Sequence, residues 1–158
     1  LEKFEKNGLQ LIWQTGKTFV DQARNLAAGK SNIRVNDFIT KMEYAYAAAD
    51  IVVSRSGAMA IAELCVVKKP VILVPYPFSA EDHQTVNAMK LVDRQAGLFV
   101  TDKEANNKLV QTVIALAGDP GKQESLRNNI ATLAITDADE VIAKEILRST
   151  KVLLNDGE

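Results

Sequence analysis

The chain has 158 residues, is 47% hydrophobic and 25% charged, and sets 19 basic against 20 acidic residues for a net charge of -1. That length supports one domain with a substantial core, and the balanced charge argues against nucleic-acid binding driven by counterion release. No apolar run approaches the ~20 residues of a membrane span, and the single cysteine, Cys65 in an apolar stretch, predicts a buried free thiol and a reducing compartment rather than a disulfide framework.

The opening LEKFEKNG reads as the end of a helix closed by Gly8. Together with Leu1 in place of Met, it leads us to expect a chain that starts inside a larger protein. LQLIWQ (9–14) has a strand's length, and TFVDQARNLAA a helix's, ending at Gly29. IRVNDF (33–38) alternates as a strand does, and KMEYAYAAAD (41–50) reads as a short helix. DIVVS (50–54) is a continuous β-branched run that suits a parallel sheet covered on both faces. A helix over 58–69, a strand over 70–77, a helix over 81–95 and a short strand over 97–100 follow. The remainder is helical, with segments over 107–118, 124–135 and 138–154. Alternating strands and helices predict an α/β fold, a Rossmann-like parallel sheet of five strands with right-handed crossovers and a helical C-terminal portion over 104–158.

In such sheets ligands lie beyond the carboxyl ends of the strands. Two corners fall there. In SRSGAMAIAE (54–63), a helix opening at Ser56 or Gly57 leaves its early N–H groups without intrahelical partners. A reciprocal cap from Ser56 needs Glu or Gln three positions on, and Met59 stands there. Free donors and the helix dipole favour an anion, and Gly57 and Ala58 keep bulk away from it. Glu63 is too deep in the helix to cap it, but its carboxylate can accept the hydroxyls of a ribose. Tight helix–sheet packing with a solvated Glu63 explains the same residues without a ligand.

The second corner is SAEDHQTVNAMK. Ser79 and Asp82 match a capping box. His83, Gln84 and Asn87 remain, spaced to project from one side of the first turns. Amides that both donate and accept suit sugar hydroxyls, and a polar solvent face is the plainer account. His83 is the only histidine and builds no metal site alone. GKT at 16–18 echoes the end of a phosphate-binding P-loop, but that motif needs glycine where Leu11 stands.

Taken together, WQTGK, NDFITKMEYAYAAADIVVSRSGAMAIAEL, KKPVILVPYPF, AEDHQTVNAMKLV and AGLFV resemble the C-terminal, donor-binding domain of the MurG family. These are the family 28 N-acetylglucosaminyltransferases of bacterial peptidoglycan synthesis. The resemblance covers nearly the whole chain and is most specific over 33–100. It implies one half of a GT-B enzyme, residues 1–158 forming the half that binds UDP-GlcNAc. It also implies no metal and no tightly bound cofactor.

On that resemblance, Ile39 meets the uracil through its backbone, and Ala58, Met59 and Ala60 present N–H groups to the diphosphate and sugar. Ser56 and Gly57 shape the turn, and Glu63 holds the ribose. Gln84, helped by His83 and Asn87, reads the GlcNAc hydroxyls, and Arg55 sits near the phosphates or holds the loop. Some members carry Thr at the position of Ala60, Gln at that of His83 and His at that of Trp13. The family's glycine-rich loop and its N-terminal domain are not in this chain. That domain carries the acceptor site for lipid I, the membrane-contacting surface and the general base. The whole enzyme is implied to be cytoplasmic and peripheral on the inner face of the cell membrane, with no nucleic-acid partner.

Two other readings compete. One is a different GT-B protein, such as a UDP-GlcNAc epimerase or a split glycosyltransferase subunit. The epimerases carry a glycine pair and an acidic pair that SRSGAMAIAE lacks. The other is a non-catalytic nucleotide-sugar sensor. The last helix is expected to carry an apolar side (Val141, Ile142, Ile146, Leu147, Leu153) that packs on this domain's own core or on an absent one.

Overall fold

The computed structural model describes residues 1–155, and side chains up to Thr150. The elements run α1 (Glu2–Lys6), β1 (Leu11–Gln14), α2 (Val20–Leu26), β2 (Ile33–Asn36), α3 (Met42–Ala48), β3 (Val52–Ser54) and α4 (Ala58–Val67). Then come β4 (Val71–Leu73), a single 3-10 turn (Ala80–Asp82), α5 (His83–Val92), β5 (Leu98–Phe99), α6 (Asp102–Ala117), α7 (Pro120–Ala131) and α8 (Ala138–Asn155). The α/β class, the five strands and the helical C-terminal portion are as expected. The side chain of Leu153 and residues 156–158 lie outside what is described.

β4 anchors the architecture. Val71, Ile72 and Leu73 have no exposed surface, and the pleat sends alternate side chains to opposite faces. Val71 and Leu73 pack with Leu64 and Cys65 of α4, Ala88 and Leu91 of α5, and Ile130 of α7. Ile72 and Val74 pack on the other face with Phe4 of α1, Val113 and Leu116 of α6, and Leu126 of α7. The expected buried thiol is there: Cys65 is buried and free, and burial pushes its pKa up. Gly97 fits where a Cβ would come within 3.1 Å of Val71 Cγ1, so the chain runs close beneath β4 just before β5.

The strands do not form one continuous ladder. β1 pairs in parallel with β2, Leu11 opposite Ile33. β3 pairs in parallel with β4, and β4 with β5. Among the described residues, no ladder joins the β1–β2 pair to the β3–β4–β5 sheet. The expected single five-stranded sheet is therefore corrected to two parallel pieces.

Two C-terminal helices start earlier than expected because their caps lie upstream. α6 starts at Asp102 rather than 107. Thr101 Oγ1 accepts from the Glu104 N–H at 3.3 Å, a side-chain N-cap, and donates to Glu104 Oε2 at 2.8 Å. α7 starts at Pro120 rather than 124, with Asp119 Oδ1 accepting from Lys122 N–H at 2.8 Å. The helix expected over 81–95 is shorter, for a reason that belongs to the site.

Candidate functional site

β3 ends at Ser54, and after three intervening residues α4 begins at Ala58. Gly57 is its N-cap in extended conformation (φ -62°, ψ 151°), without a side-chain cap or an acidic residue in the first turn. The first bond into the helix runs from Ile61 N–H to the Gly57 carbonyl at 2.9 Å. The N–H groups of Ala58, Met59 and Ala60 are left without intrahelical partners. A Cβ built on Gly57 would meet nothing within 4 Å, so the space before these donors is open. Local sequence dictates this: no residue at the turn has the reach and position to cap it.

Ser56 is fully buried and joins the two corners. Its N–H donates to Gln84 Oε1 at 3.2 Å, and its hydroxyl donates to the Gln84 backbone carbonyl at 2.7 Å. Asn87 Nδ2 donates to the Ser56 carbonyl at 3.2 Å. The N–H of Tyr76 also donates to Gln84 Oε1, at 2.9 Å. Two backbone donors fix which way the Gln84 amide faces, leaving its NH2 group free. Asn87 correspondingly keeps its side-chain oxygen.

The capping box expected of Ser79 and Asp82 does not form. Glu81 and Asp82 both take left-handed backbone (φ 48° and 54°), so α5 starts at His83, beyond the reversal. Ser79 Oγ instead accepts from the Gln84 N–H at 3.3 Å, and Asp82 Oδ1 accepts from Thr85 Oγ1 at 2.7 Å. Two consecutive non-glycine residues in this region carry backbone strain. His83 stands exposed at the first position of α5, its Nε2 3.4 Å from Glu81 Oε2.

Arg55 holds the loop. Its Nη1 donates to the carbonyls of Val74 (3.1 Å) and Pro75 (3.0 Å) and to Asp102 Oδ1 (2.6 Å). Its guanidinium carbon lies 5.7 Å from the Tyr76 ring centroid. Of the two expected roles, this geometry serves the second: it clamps the end of β4 to the start of α6.

Glu63 is exposed on α4 and its Oε2 accepts from the Tyr46 hydroxyl of α3 at 3.2 Å. Burial first, then the Glu63 charge and the hydrogen bond to it, raise the Tyr46 pKa. An open, mainly apolar depression of about 440 Å³ runs past this pair, lined by Met42, Tyr46, Ala62, Val66 and Ile135 among others. Ile39 follows β2. Its N–H donates to Gln14 Oε1 at 2.8 Å, which leaves the carbonyl as its free backbone group.

The fold thus bonds Ser56, Gln84 and Asn87 into one cluster at the start of α4, anchors Arg55 to the end of β4 and to Asp102, and links Glu63 to a second helix. It ties Ile39 to β1 rather than to that cluster. Gln14, Tyr46, Tyr76 and Asp102 were not singled out from sequence. Each acts through a contact 8 or more positions away, where no local spacing signals it. Among the described residues, no group of three or more His, Cys, Asp or Glu could hold a metal ion, and no helix is long and apolar enough to cross a membrane.

Residues 1–144 match the family model described as the glycosyltransferase family 28 C-terminal domain. A Porphyromonas gingivalis protein named UDP-N-acetylglucosamine--N-acetylmuramyl-(pentapeptide) pyrophosphoryl-undecaprenol N-acetylglucosamine transferase is 48% identical over 150 residues, 94% of this chain and 40% of that protein. A Bacteroides fragilis protein of the same name is 50% identical over 143 residues, 89% of this chain and 38% of that protein. The crystal structure of Acinetobacter baumannii MurG superposes with a TM-score of 0.79 at 23% identity, covering 93% of this chain and 44% of that one. The likeness is one of fold. The chain spans about 40% of the length of the curated relatives it matches.

Proposed function

Since this chain belongs to glycosyltransferase family 28, as a C-terminal domain of that family, we propose that it is the donor half of an inverting N-acetylglucosaminyltransferase. Its donor is UDP-GlcNAc, and its acceptor is undecaprenyl-pyrophosphoryl-MurNAc-pentapeptide, lipid I, which becomes lipid II. The observation that carries this reading is the uncapped start of α4, cross-braced by Ser56 to Gln84 and Asn87. The diphosphate lies on the N–H groups of Ala58, Met59 and Ala60, where the helix dipole favours it. Glu63, held by Tyr46, accepts the ribose hydroxyls. The Ile39 carbonyl takes a donor from the uracil. Gln84 offers its NH2 group, and Asn87 its side-chain oxygen, to the GlcNAc hydroxyls, with His83 beside them.

The reaction is a single displacement: the acceptor hydroxyl attacks C1 of GlcNAc, the C1–O bond to UDP breaks, and the configuration inverts. This half stabilises the leaving diphosphate with donors oriented beforehand toward the developing charge. The acceptor site, the general base and a membrane-contacting surface belong to an N-terminal domain. The whole enzyme works on the cytoplasmic face of the cell membrane.

Titrating the 158-residue chain with UDP-GlcNAc while following amide resonances tests this. Weak binding with shifts centred on Ala58–Ala60 is expected, with no transfer to lipid I. Undisturbed amides there at millimolar donor, or turnover of lipid I by this chain alone, would overturn it.

A further inference from the structure

Two tyrosines on α3 meet opposite surroundings. Tyr44 is 64% exposed, with Lys41 Nζ 5.5 Å from its ring centroid. Tyr46 packs its ring against the core cluster that holds Leu64 and Cys65 of α4. Residues two apart do not share a face of a helix, so one phenol goes to solvent and the other is anchored. The anchored hydroxyl donates to Glu63 Oε2 at 3.2 Å.

Docking α3 on α4 does not require that bond, because the ring alone supplies the packing. The hydroxyl's partner is an exposed carboxylate that, among the described residues, bonds to no other side chain. Glu43 lines the same depression, whose other walls include Met42, Ala62, Val66 and Ile135. Two carboxylates therefore flank the phenol, and its proton is committed to Glu63 rather than to Glu43.

We propose that Tyr46 is a positioning residue: it holds the Glu63 carboxylate in one orientation and so sets a preference for ribose over 2′-deoxyribose. This deepens the donor reading and rests on it. A glutamate on a helix surface samples many rotamers, and ordering it costs entropy. A bond from an anchored phenol meets that cost during folding, so the ligand no longer bears it. An ionised carboxylate has about four acceptor positions on its two oxygens. The phenol takes one of them on Oε2 and leaves Oε1 untouched. The adjacent hydroxyls of a ribose need two acceptors at a fixed separation. A held carboxylate presents both at once, and a wandering one does so only part of the time. A 2′-deoxyribose brings one hydroxyl and gains less from the same orientation. Tyr46 thus acts on the nucleotide through Glu63.

Titrating the 158-residue chain with UDP and with 2′-deoxy-UDP tests this, in the parent, Tyr46→Phe, Glu63→Ala and the double variant. Phenylalanine keeps the ring in the cluster, and a melting curve verifies that the fold is retained. The parent should prefer UDP by about tenfold, as expected for one hydrogen bond to a charged group. Tyr46→Phe should weaken UDP about fivefold while 2′-deoxy-UDP changes less than about twofold. In the Glu63→Ala background the same substitution should alter neither affinity, which the double-mutant cycle reads directly. Equal losses for both nucleotides in Tyr46→Phe would overturn the proposal by reducing the phenol to a packing group. An undiminished preference for UDP in Tyr46→Phe, or a further loss in the Glu63→Ala background, would also sink it. A parent that binds both nucleotides equally would overturn it while leaving the diphosphate site standing. A parent that does not bind UDP would overturn the donor reading and this proposal together.

Discussion

Ser56 and Gln84 bind each other twice, N–H to side-chain oxygen at 3.2 Å and hydroxyl to backbone carbonyl at 2.7 Å. The bond pair joins the starts of α4 and α5, so the free N–H groups of α4 and the Gln84 amide are held as one unit. It also divides the Gln84 side chain into an oxygen that accepts two backbone N–H groups and an NH2 group left free for the proposed sugar contact.

That division can be separated experimentally. Gln84→Glu keeps an acceptor for the Ser56 and Tyr76 N–H groups but loses the donor. It should leave the melting temperature within a few degrees of the parent while weakening UDP-GlcNAc binding about tenfold or more, ~1.4 kcal/mol. Gln84→Ala removes the acceptor from a buried N–H and should cost roughly 1–3 kcal/mol of stability as well. Calorimetric melting and donor titration on both variants decide it. Equal melting of the two would remove the oxygen's structural role.

Glu63→Ala tests the ribose contact. Loss of a charged hydrogen bond should weaken UDP-GlcNAc and UDP alike by roughly 1–3 kcal/mol, with little effect on binding of GlcNAc 1-phosphate, which has no ribose. Unchanged UDP affinity would exclude Glu63 from that role.

Much of this was legible in the sequence because it is local. The uncapped start of α4 followed from Ser56 and Met59 at cap spacing, and strand β4 from the apolar run over 70–77, whereas DIVVS, expected to be covered on both faces, leaves Val53 of β3 44% exposed. What escaped was the pairing of distant groups. Arg55 carried no sign that Asp102 would meet it, nor Ile39 that Gln14 would take its N–H. The capping box at Ser79 failed because spacing cannot report a left-handed backbone at Glu81 and Asp82. The five strands were readable one by one, but the break between β1 and β3 is a property of strand order, which crossover lengths alone do not specify.

Tyr46 makes the α3–α4 contact sensitive to alkali. Its folded pKa is raised above the ordinary tyrosine value of about 10 by burial and by Glu63. The folded state therefore holds the proton more tightly, and the stability this contributes is complete below pH about 10 and is lost as pH rises through the folded value. Urea unfolding across pH 8 to 11 should show stability falling above pH about 10, with a shallower fall in Tyr46→Phe. Identical slopes would mean that the phenol does not ionise at this contact.

Arg55→Lys separates loop-holding from phosphate-binding. The Val74 and Pro75 carbonyls and Asp102 are all met by the one Nη1; a lysine keeps the charge but loses the guanidinium plane that lies against the Tyr76 ring and holds that nitrogen in place. Because the Arg55–Asp102 pair is about half exposed, its charge attraction should contribute under ~1 kcal/mol, and an Arg55/Asp102 double-mutant cycle should return a coupling of that size. The larger effect should be on the loop: the Tyr76 amide, which donates to Gln84, should exchange at least tenfold faster in Arg55→Lys, with donor affinity falling in parallel. Were Arg55 a direct phosphate ligand instead, UDP affinity would fall while Tyr76 kept its protection. The two roles thus leave different marks on one amide, and the loop-holding role stands only if that amide is released.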